Sequence, residues 1–230
     1  MTGIIDYDAG NVKSVEKALQ FLGEDVTVTR DPQQLFKADR VVLPGVGAFG
    51  AAMERLENYG LTEVIHRITE RGTPFLGICL GLQLLFEESE ESPGVKGLGI
   101  LPGRIVRFPE GQRLSQTWET EGVHTGEKRT SSGGAAAGNE ILKVPQIGWN
   151  DLHFPKESRL FKGVPEGSFV YFVHSYYLSA ADFSDVAATT EYGVTVHAAV
   201  EHDNVFACQF HPEKSDKVGL QILRNFISFT

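Results

Sequence analysis

The chain has 230 residues, 41% of them hydrophobic and 22% charged, and its 30 Asp and Glu against 21 Lys and Arg give a formal charge of −9. That length supports one domain with a substantial core, and the mixture excludes wholesale disorder or a coiled coil. The acidic balance argues against a dedicated nucleic-acid binder, no apolar run approaches the ~20 residues of a membrane span, and the N-terminus lacks the form of a secretory signal. Cys79 and Cys208, the only two cysteines, read as free thiols of a cytoplasmic protein. The histidines form no close-spaced cluster with cysteine, so no structural metal is expected.

In chain order, "GIID" reads as a strand, and "NVKSVEKALQFLG" as a helix on the spacing of Val12, Val15, Leu19 and Leu22, closed by Gly23. "DVTVT" follows as a strand, "DPQQLFKA" as a short helix, "RVVLP" as an apolar strand, and the stretch from about Phe49 to Arg71 as helix. "PFLGI" is the next strand and "LGLQLLFEESEE" the next helix. Strands that alternate with helices and are apolar on both faces predict a doubly wound, mainly parallel α/β sheet flanked by helices. The second half is richer in strands, at "GRIVRF", "GSFVYFVHSYYL", "DVAATTEY", "VTVHAAVEH" and "VFACQF", which predicts an additional antiparallel β part before a last helix in "KVGLQILRNFISF". Residues 112–140, poor in large apolar side chains and rich in Gly, Ser, Thr and Ala, read as a flexible insertion in a single domain spanning 1–230.

Function in such sheets gathers at the carboxyl ends of strands, where "LPGVG" and "GICLG" lie. Gly77-Ile78-Cys79-Leu80-Gly81 matches the nucleophile elbow, with Cys in place of the usual Ser. At a helix start the dipole favours a thiolate, and the Leu80 N–H, next after the nucleophile, is a natural oxyanion donor. On this stretch alone Cys79 is equally readable as a small buried hydrophobe. A thiol nucleophile needs a base, and "FHPEKS" offers His211 two residues from Glu213. Pro212 favours extended backbone at His211, so the two side chains project to one side and Glu213 can orient the imidazole. An isolated His-Pro-Glu is more often a surface turn, but a cysteine elbow in the same chain makes the pair a candidate Cys-His-Glu triad. Cys208 has the parity of Phe206 and Phe210, opposite to His211, and reads as core. The glycine-rich "PGVGAFG" lacks the Lys-Ser/Thr ending of a P-loop and the spacing of a dinucleotide fingerprint, and reads as a second oxyanion donor.

In this order along the chain, "PGVGAF", "GICLGLQLL" and "FHPEKS" resemble the class I glutamine amidotransferases. "DYDAGN", "KVPQIGWN" and "YFVHSYY" extend the likeness to the glutaminase subunits of imidazole glycerol phosphate synthases, over nearly the whole chain apart from the insertion. The resemblance implies that Cys79 attacks the side-chain amide of L-glutamine to form a γ-glutamyl thioester, with His211 as base and then acid and Glu213 orienting it. It implies that Gln83, Gly47, Ser175 and Tyr176 hold the glutamine, and that backbone at Val46 and Gly47 joins Leu80 in the oxyanion hole. No cofactor is expected. The implied partner is a cyclase subunit with a (β/α)8 barrel, which receives the ammonia, faces Asn11, Trp149, Tyr171 and Lys214, and is needed with its nucleotide for full glutaminase activity. From the residues alone, Trp149 and Tyr171 are also readable as core aromatics and Asn11 as a helix cap. Gln146-Ile147 departs from the His-Met usual in these subunits. The glutaminase of another amidotransferase, such as that of anthranilate synthesis, shares the chemistry and differs in partner.

Overall fold

The elements run β1 (Thr2–Ile5), α1 (Val12–Phe21), β2 (Val26–Thr29), α2 (Pro32–Lys37), β3 (Arg40–Gly45), α3 (Phe49–Asn58), α4 (Leu61–Glu70), β4 (Phe75–Cys79), α5 (Leu80–Leu84), β5 (Glu88–Ser89), β6 (Gly103–Arg107), β7 (Gln146–Asp151), β8 (Phe169–His174), β9 (Tyr176–Ala180), β10 (Val186–Glu191), β11 (Thr195–His202), β12 (Val205–Cys208) and α6 (Asp216–Ile227). They are seen in a computed structural model that describes residues 1–109 and 142–229. The insertion expected at 112–140 lies outside the described residues.

β1, β3, β4 and β12 are buried along their whole length, which is why they read as continuous apolar runs rather than alternating ones. They form the middle of a seven-stranded sheet of order β10-β11-β12-β4-β3-β1-β2. β2, β1, β3, β4 and β12 run parallel, and β11 and β10 extend the sheet as an antiparallel edge. One face packs on α3, α4 and α5 through Phe49, Leu56, Ile65, Ile68 and Leu82. The other packs on α1 and α6 through Val15, Leu19, Ile222, Leu223 and Phe226. Smaller sheets, β5-β6-β9 and β7-β8, complete the β structure.

The structure departs from the sequence reading where tertiary contacts override local pattern. The helix expected from Phe49 to Arg71 breaks at Gly60, whose φ of 65° leaves the helical region, and becomes α3 and α4. The helix expected over "LGLQLLFEESEE" stops at Leu84, because the backbone N–H groups of Leu98, Ile100 and Gly99 occupy the carbonyls of Leu84, Leu85 and Phe86. Glu88–Ser89 pairs with β6 instead. "GSFVYFVHSYYL" divides at Ser175 into β8 and β9, which join different sheets. "KVPQIGWN", given no element by the sequence reading, supplies β7, whose register sets Gln146 opposite His174 and Trp149 opposite Tyr171. Among the described residues no helix is long and apolar enough to cross a membrane.

Candidate active site

Register brings three loops together at the carboxyl edge of the parallel strands. Gly45 pairs with Cys79 across β3 and β4, and Cys208 pairs with Ile78 across β12 and β4. The chain leaving β3, the turn between β4 and α5, and residues 209–213 after β12 therefore converge on Cys79.

Cys79 has φ 55° and ψ −106°, a conformation that a non-glycine residue rarely adopts. Such backbone costs on the order of 1–3 kcal/mol and persists where the surroundings over-determine it. Here they do so by close approach: a Cβ on Gly81 would lie 1.8 Å from the Leu43 carbonyl oxygen, so only glycine lets α5 turn back over β3. A Cβ on Gly45 would lie 2.1 Å from the hydroxyl of Tyr7. That hydroxyl is buried and donates to the Pro44 carbonyl at 2.9 Å, tying β1 to the end of β3. Burial, then the neighbouring Cys79 sulfur, pushes the Tyr7 phenol well above its ordinary range. The result is the elbow read from the sequence, with Cys79 only 6% exposed.

His211 is fully buried and extended, at φ −102° and ψ 94°, as the following proline favours. Its backbone is clamped from two sides: its N–H donates to Tyr171 O of β8 at 2.9 Å, and its carbonyl accepts from Oγ of Ser215, before α6, at 2.7 Å. Nδ1 lies 2.8 Å from Glu213 Oε1, with both side chains shielded from solvent. Nε2 has no hydrogen-bond partner among the described residues. Burial disfavours the imidazolium, but the Cys79 sulfur and the Glu213 carboxylate outweigh it and push His211 up to about 9. His174 behaves oppositely. Burial, with the His211 charge adding to it, holds His174 down to about 4, against the bond from its Nδ1 to Tyr176 O. It is a neutral imidazole whose Nδ1–H donates to that carbonyl at 2.9 Å.

The structure also brings in residues that sequence reading missed or placed otherwise. Gln209 Nε2 donates to Cys79 Sγ at 3.7 Å. Its parity with His211 was the available signal; Pro212–Lys214, however, form a 3-10 turn rather than the extended segment expected, so Glu213 reaches the His211 ring through that turn and not by strand alternation. Gln83, one helical turn past the nucleophile, donates through Nε2 to Gln209 Oε1 and to Tyr176 O, both at 3.1 Å. Asn11, expected toward a partner or as a cap, sits at the start of α1 without a side-chain cap and donates to Glu213 Oε1 at 2.5 Å. Ser175 and Tyr176 lie half-buried at the β8–β9 junction. Val46 and Gly47 are exposed on the loop after β3, Gly47 with φ 115°. Leu80 opens α5, so its N–H has no acceptor within the helix.

Trp149 and Tyr171 are not core aromatics. Trp149 is 52% exposed on the outward face of β7, its ring 6.1 Å from that of Tyr171, and Lys214 Nζ lies 5.9 Å from the Tyr171 ring centroid. Ile147 and Phe169 are exposed on the same face. Cys208 is core as read: fully buried, its thiol pushed well up by burial. Both cysteines are free, and among the described residues no group of three His, Cys, Asp or Glu is placed to hold a metal ion.

The comparisons with known proteins agree with this geometry. The family model for "Glutamine amidotransferase class-I" matches residues 3–229. Among curated relatives, the imidazole glycerol phosphate synthase subunit HisH of Syntrophotalea carbinolica is 49% identical over 226 residues, 98% of either chain. The subunit of the same name from Aquifex aeolicus is 47% identical, over 98% of this chain and 95% of its own. That from Methanothermobacter thermautotrophicus is 46% identical, over 99% and 98%. In fold, the chain resembles a crystal structure of a glutamine amidotransferase, with a TM-score of 0.68, 18% identity and coverage of 99% of this chain and 97% of that one. PurLQS from Thermotoga maritima follows at a TM-score of 0.67 and 17% identity, with the same coverage. A cysteine elbow beside a buried His–Glu pair, on a sheet and in a sequence that both match along nearly their full length, assigns the chain to the class I glutamine amidotransferases.

Proposed function

We propose that the chain, as one glutaminase domain, is the glutaminase subunit of a cytoplasmic imidazole glycerol phosphate synthase, hydrolysing L-glutamine and passing the ammonia to a cyclase subunit. The observation that carries this reading is Cys79 on its strained elbow beside the His211–Glu213 pair, in a chain 49% identical to a synthase subunit along nearly its whole length.

The chemistry follows from the placement of the groups. The thiol proton of Cys79 passes to Nε2 of His211, the nitrogen turned away from Glu213, and the sulfur attacks the side-chain carbonyl carbon of glutamine. Leu80 N–H and a backbone N–H at Val46 or Gly47 receive the oxyanion. His211 then gives its proton to the departing nitrogen. The C–N bond breaks, ammonia leaves, and the γ-glutamyl thioester remains. A water that loses its proton to His211 attacks the thioester carbon, the C–S bond breaks, and the proton returns to sulfur as glutamate departs. Gln83, Gly47, Ser175 and Tyr176 hold the glutamine. Both N–H groups of the Gln83 amide already donate to the protein, so its carbonyl oxygen is the part that accepts from the ligand.

The outward face of β7 and β8, with Trp149, Tyr171 and Lys214, is the surface for a cyclase subunit of (β/α)8 fold, which uses the ammonia to make imidazole glycerol phosphate and aminoimidazole carboxamide ribonucleotide. Glutamate release is to be followed in the chain mixed with such a cyclase and its nucleotide substrate, for wild type and Cys79→Ala. Stimulation by the nucleotide and loss of release in Cys79→Ala are expected. Absence of stimulation would refute the synthase assignment, and release surviving in Cys79→Ala would refute the mechanism.

A further inference from the structure

Among the described residues, the hydrogen bonds to the Glu213 carboxylate come from two groups, and both end on Oε1: His211 Nδ1 at 2.8 Å and Asn11 Nδ2 at 2.5 Å. The amide also lies 3.4 Å from Nδ1 itself, so the three groups form one compact triangle. Glu213 is shielded from solvent, and its Oε2 has no partner. A buried carboxylate keeps its charge and its orientation through its donors. A second donor on the same oxygen that orients the histidine therefore fixes both.

Asn11 is placed for this contact at some cost to the backbone. It occupies the position before the first turn of α1, where an Asn side chain ordinarily accepts from a helix N–H, yet it makes no such bond. Its φ is 73°, and Asp8, three residues earlier, has φ 60°. Both are non-glycine residues in the left-handed region within "DYDAGN"; ties to other elements fix the Asp6–Asp8 end, and the contact with Glu213 fixes Asn11. Arg30 bonds Asp6 at 3.1 Å and Asp8 at 2.6 Å, Arg55 donates to the Asp8 carbonyl at 3.0 Å, and the Tyr59 hydroxyl donates to the Asp8 carboxylate. Retained strain of this kind collects where a side chain must be aimed.

We infer that Asn11 is a positioning residue of the glutaminase site, acting on the reaction through Glu213: its amide pins Oε1 against His211 Nδ1 and so keeps Nε2 turned to Cys79. The inference rests on the triad reading above. Without the amide, the carboxylate is free to turn about its last torsion, and the support that Glu213 lends to the histidine proton weakens.

Asn11→Gly removes the amide and relaxes the left-handed backbone, which offsets part of the cost of leaving the buried carboxylate one donor short. With partner subunit, nucleotide and glutamine present, kcat for glutamate release is expected to fall about tenfold or more while KM for glutamine stays unchanged, because Asn11 acts on the acid and not on the substrate. In the full chain by itself, where partner affinity plays no part, the His211 titration read from its imidazole proton resonance moves down from about 9. Far-UV circular dichroism is expected to match wild type, so the shift is read on a folded chain. Asn11→Gln, which keeps the amide on a longer arm, recovers part of the lost kcat. The titratable groups around His211 are Cys79, Glu213 and His174, with Cys208 facing Glu213; none is altered, so the shift reports the amide. Wild-type kcat and an unmoved His211 in Asn11→Gly would overturn the inference while Glu213→Ala stays inactive. Full activity in Glu213→Ala as well would overturn the triad reading beneath it.

Discussion

Replacing Cys79 by Ala removes one of the two groups that hold the proton on His211. The imidazole is pushed up to about 9, in favour of the charged form. Burial is the largest influence and works against that charge; the nearby Cys79 sulfur and the Glu213 carboxylate oppose it. In Cys79→Ala only Glu213 remains, so His211 is expected to titrate lower than in wild type. Proton NMR of the imidazole resonances between about pH 5 and pH 10 reads this directly. His174, held down to about 4 mainly by burial, serves as a reference that stays neutral over the same range. A His211 midpoint unchanged in Cys79→Ala would show that the thiol is not the partner of Nε2, and the reasoning that joins nucleophile to base would fall.

The two buried histidines also predict how stability varies with pH. His211, raised to about 9, stabilises the fold fully below ~6.5 and loses that contribution as pH rises through 9; His174, depressed to about 4, withdraws stability as pH falls from ~6.5 toward 4. Each limb amounts to up to about 3 kcal/mol, so denaturant midpoints are expected to peak near neutrality, and His174→Gln is expected to flatten the acid limb; a profile level from pH 4.5 to 9 would refute both assignments. Gly45→Ala sets a Cβ 2.1 Å from the Tyr7 hydroxyl, an overpacking of about 1–3 kcal/mol. Tyr7→Phe leaves the Pro44 carbonyl without its donor, at about 1–3 kcal/mol. The double variant removes the clashing oxygen and should cost less than the two together, and strict additivity in the unfolding free energies would refute the contact. Trp149→Ala is expected to leave stability within about 0.5 kcal/mol, the side chain being half exposed. It is expected to weaken cyclase binding by about tenfold or more in calorimetry, and unchanged affinity would move the partner off the β7–β8 face.

The elements that the sequence displayed clearly are those whose environment repeats along the chain. β1, β3 and β4 are buried on both faces and therefore apolar throughout, and α1 buries Val15, Ala18 and Leu19 at helical spacing. Cys79, His211 and Glu213 were legible because an elbow and an X-Pro step impose local spacing rules. What local pattern does not carry is partnership across the chain. α5 ends where it does because residues 98–100 take its carbonyls. The amide of Asn11 finds a carboxylate 202 positions away, and the sequence only marks it as a polar residue before a helix. The outward aromatics of β7 and β8 were ambiguous for the same reason: a Trp in an alternating strand faces core or solvent according to a register that only the sheet defines.

The place of β12 in the sheet has a consequence for how the protein is made. Strand β4 carries Cys79, and the neighbouring strand that brings Gln209 and His211 to it comes late in the chain, Gln209 lying 130 positions after Cys79. At ordinary translation rates the ribosome needs roughly 7 to 26 s to traverse that distance. Throughout that interval β4, paired only with β3, is the open edge of a partly built parallel sheet, with apolar side chains on both faces. On the proposed mechanism a nascent chain therefore cannot hydrolyse glutamine and release stray ammonia, because Cys79 and His211 meet only when β12 docks. The same delay exposes the growing polypeptide to association through that edge, so chains truncated before β12 should accumulate as aggregates rather than as partly active enzyme.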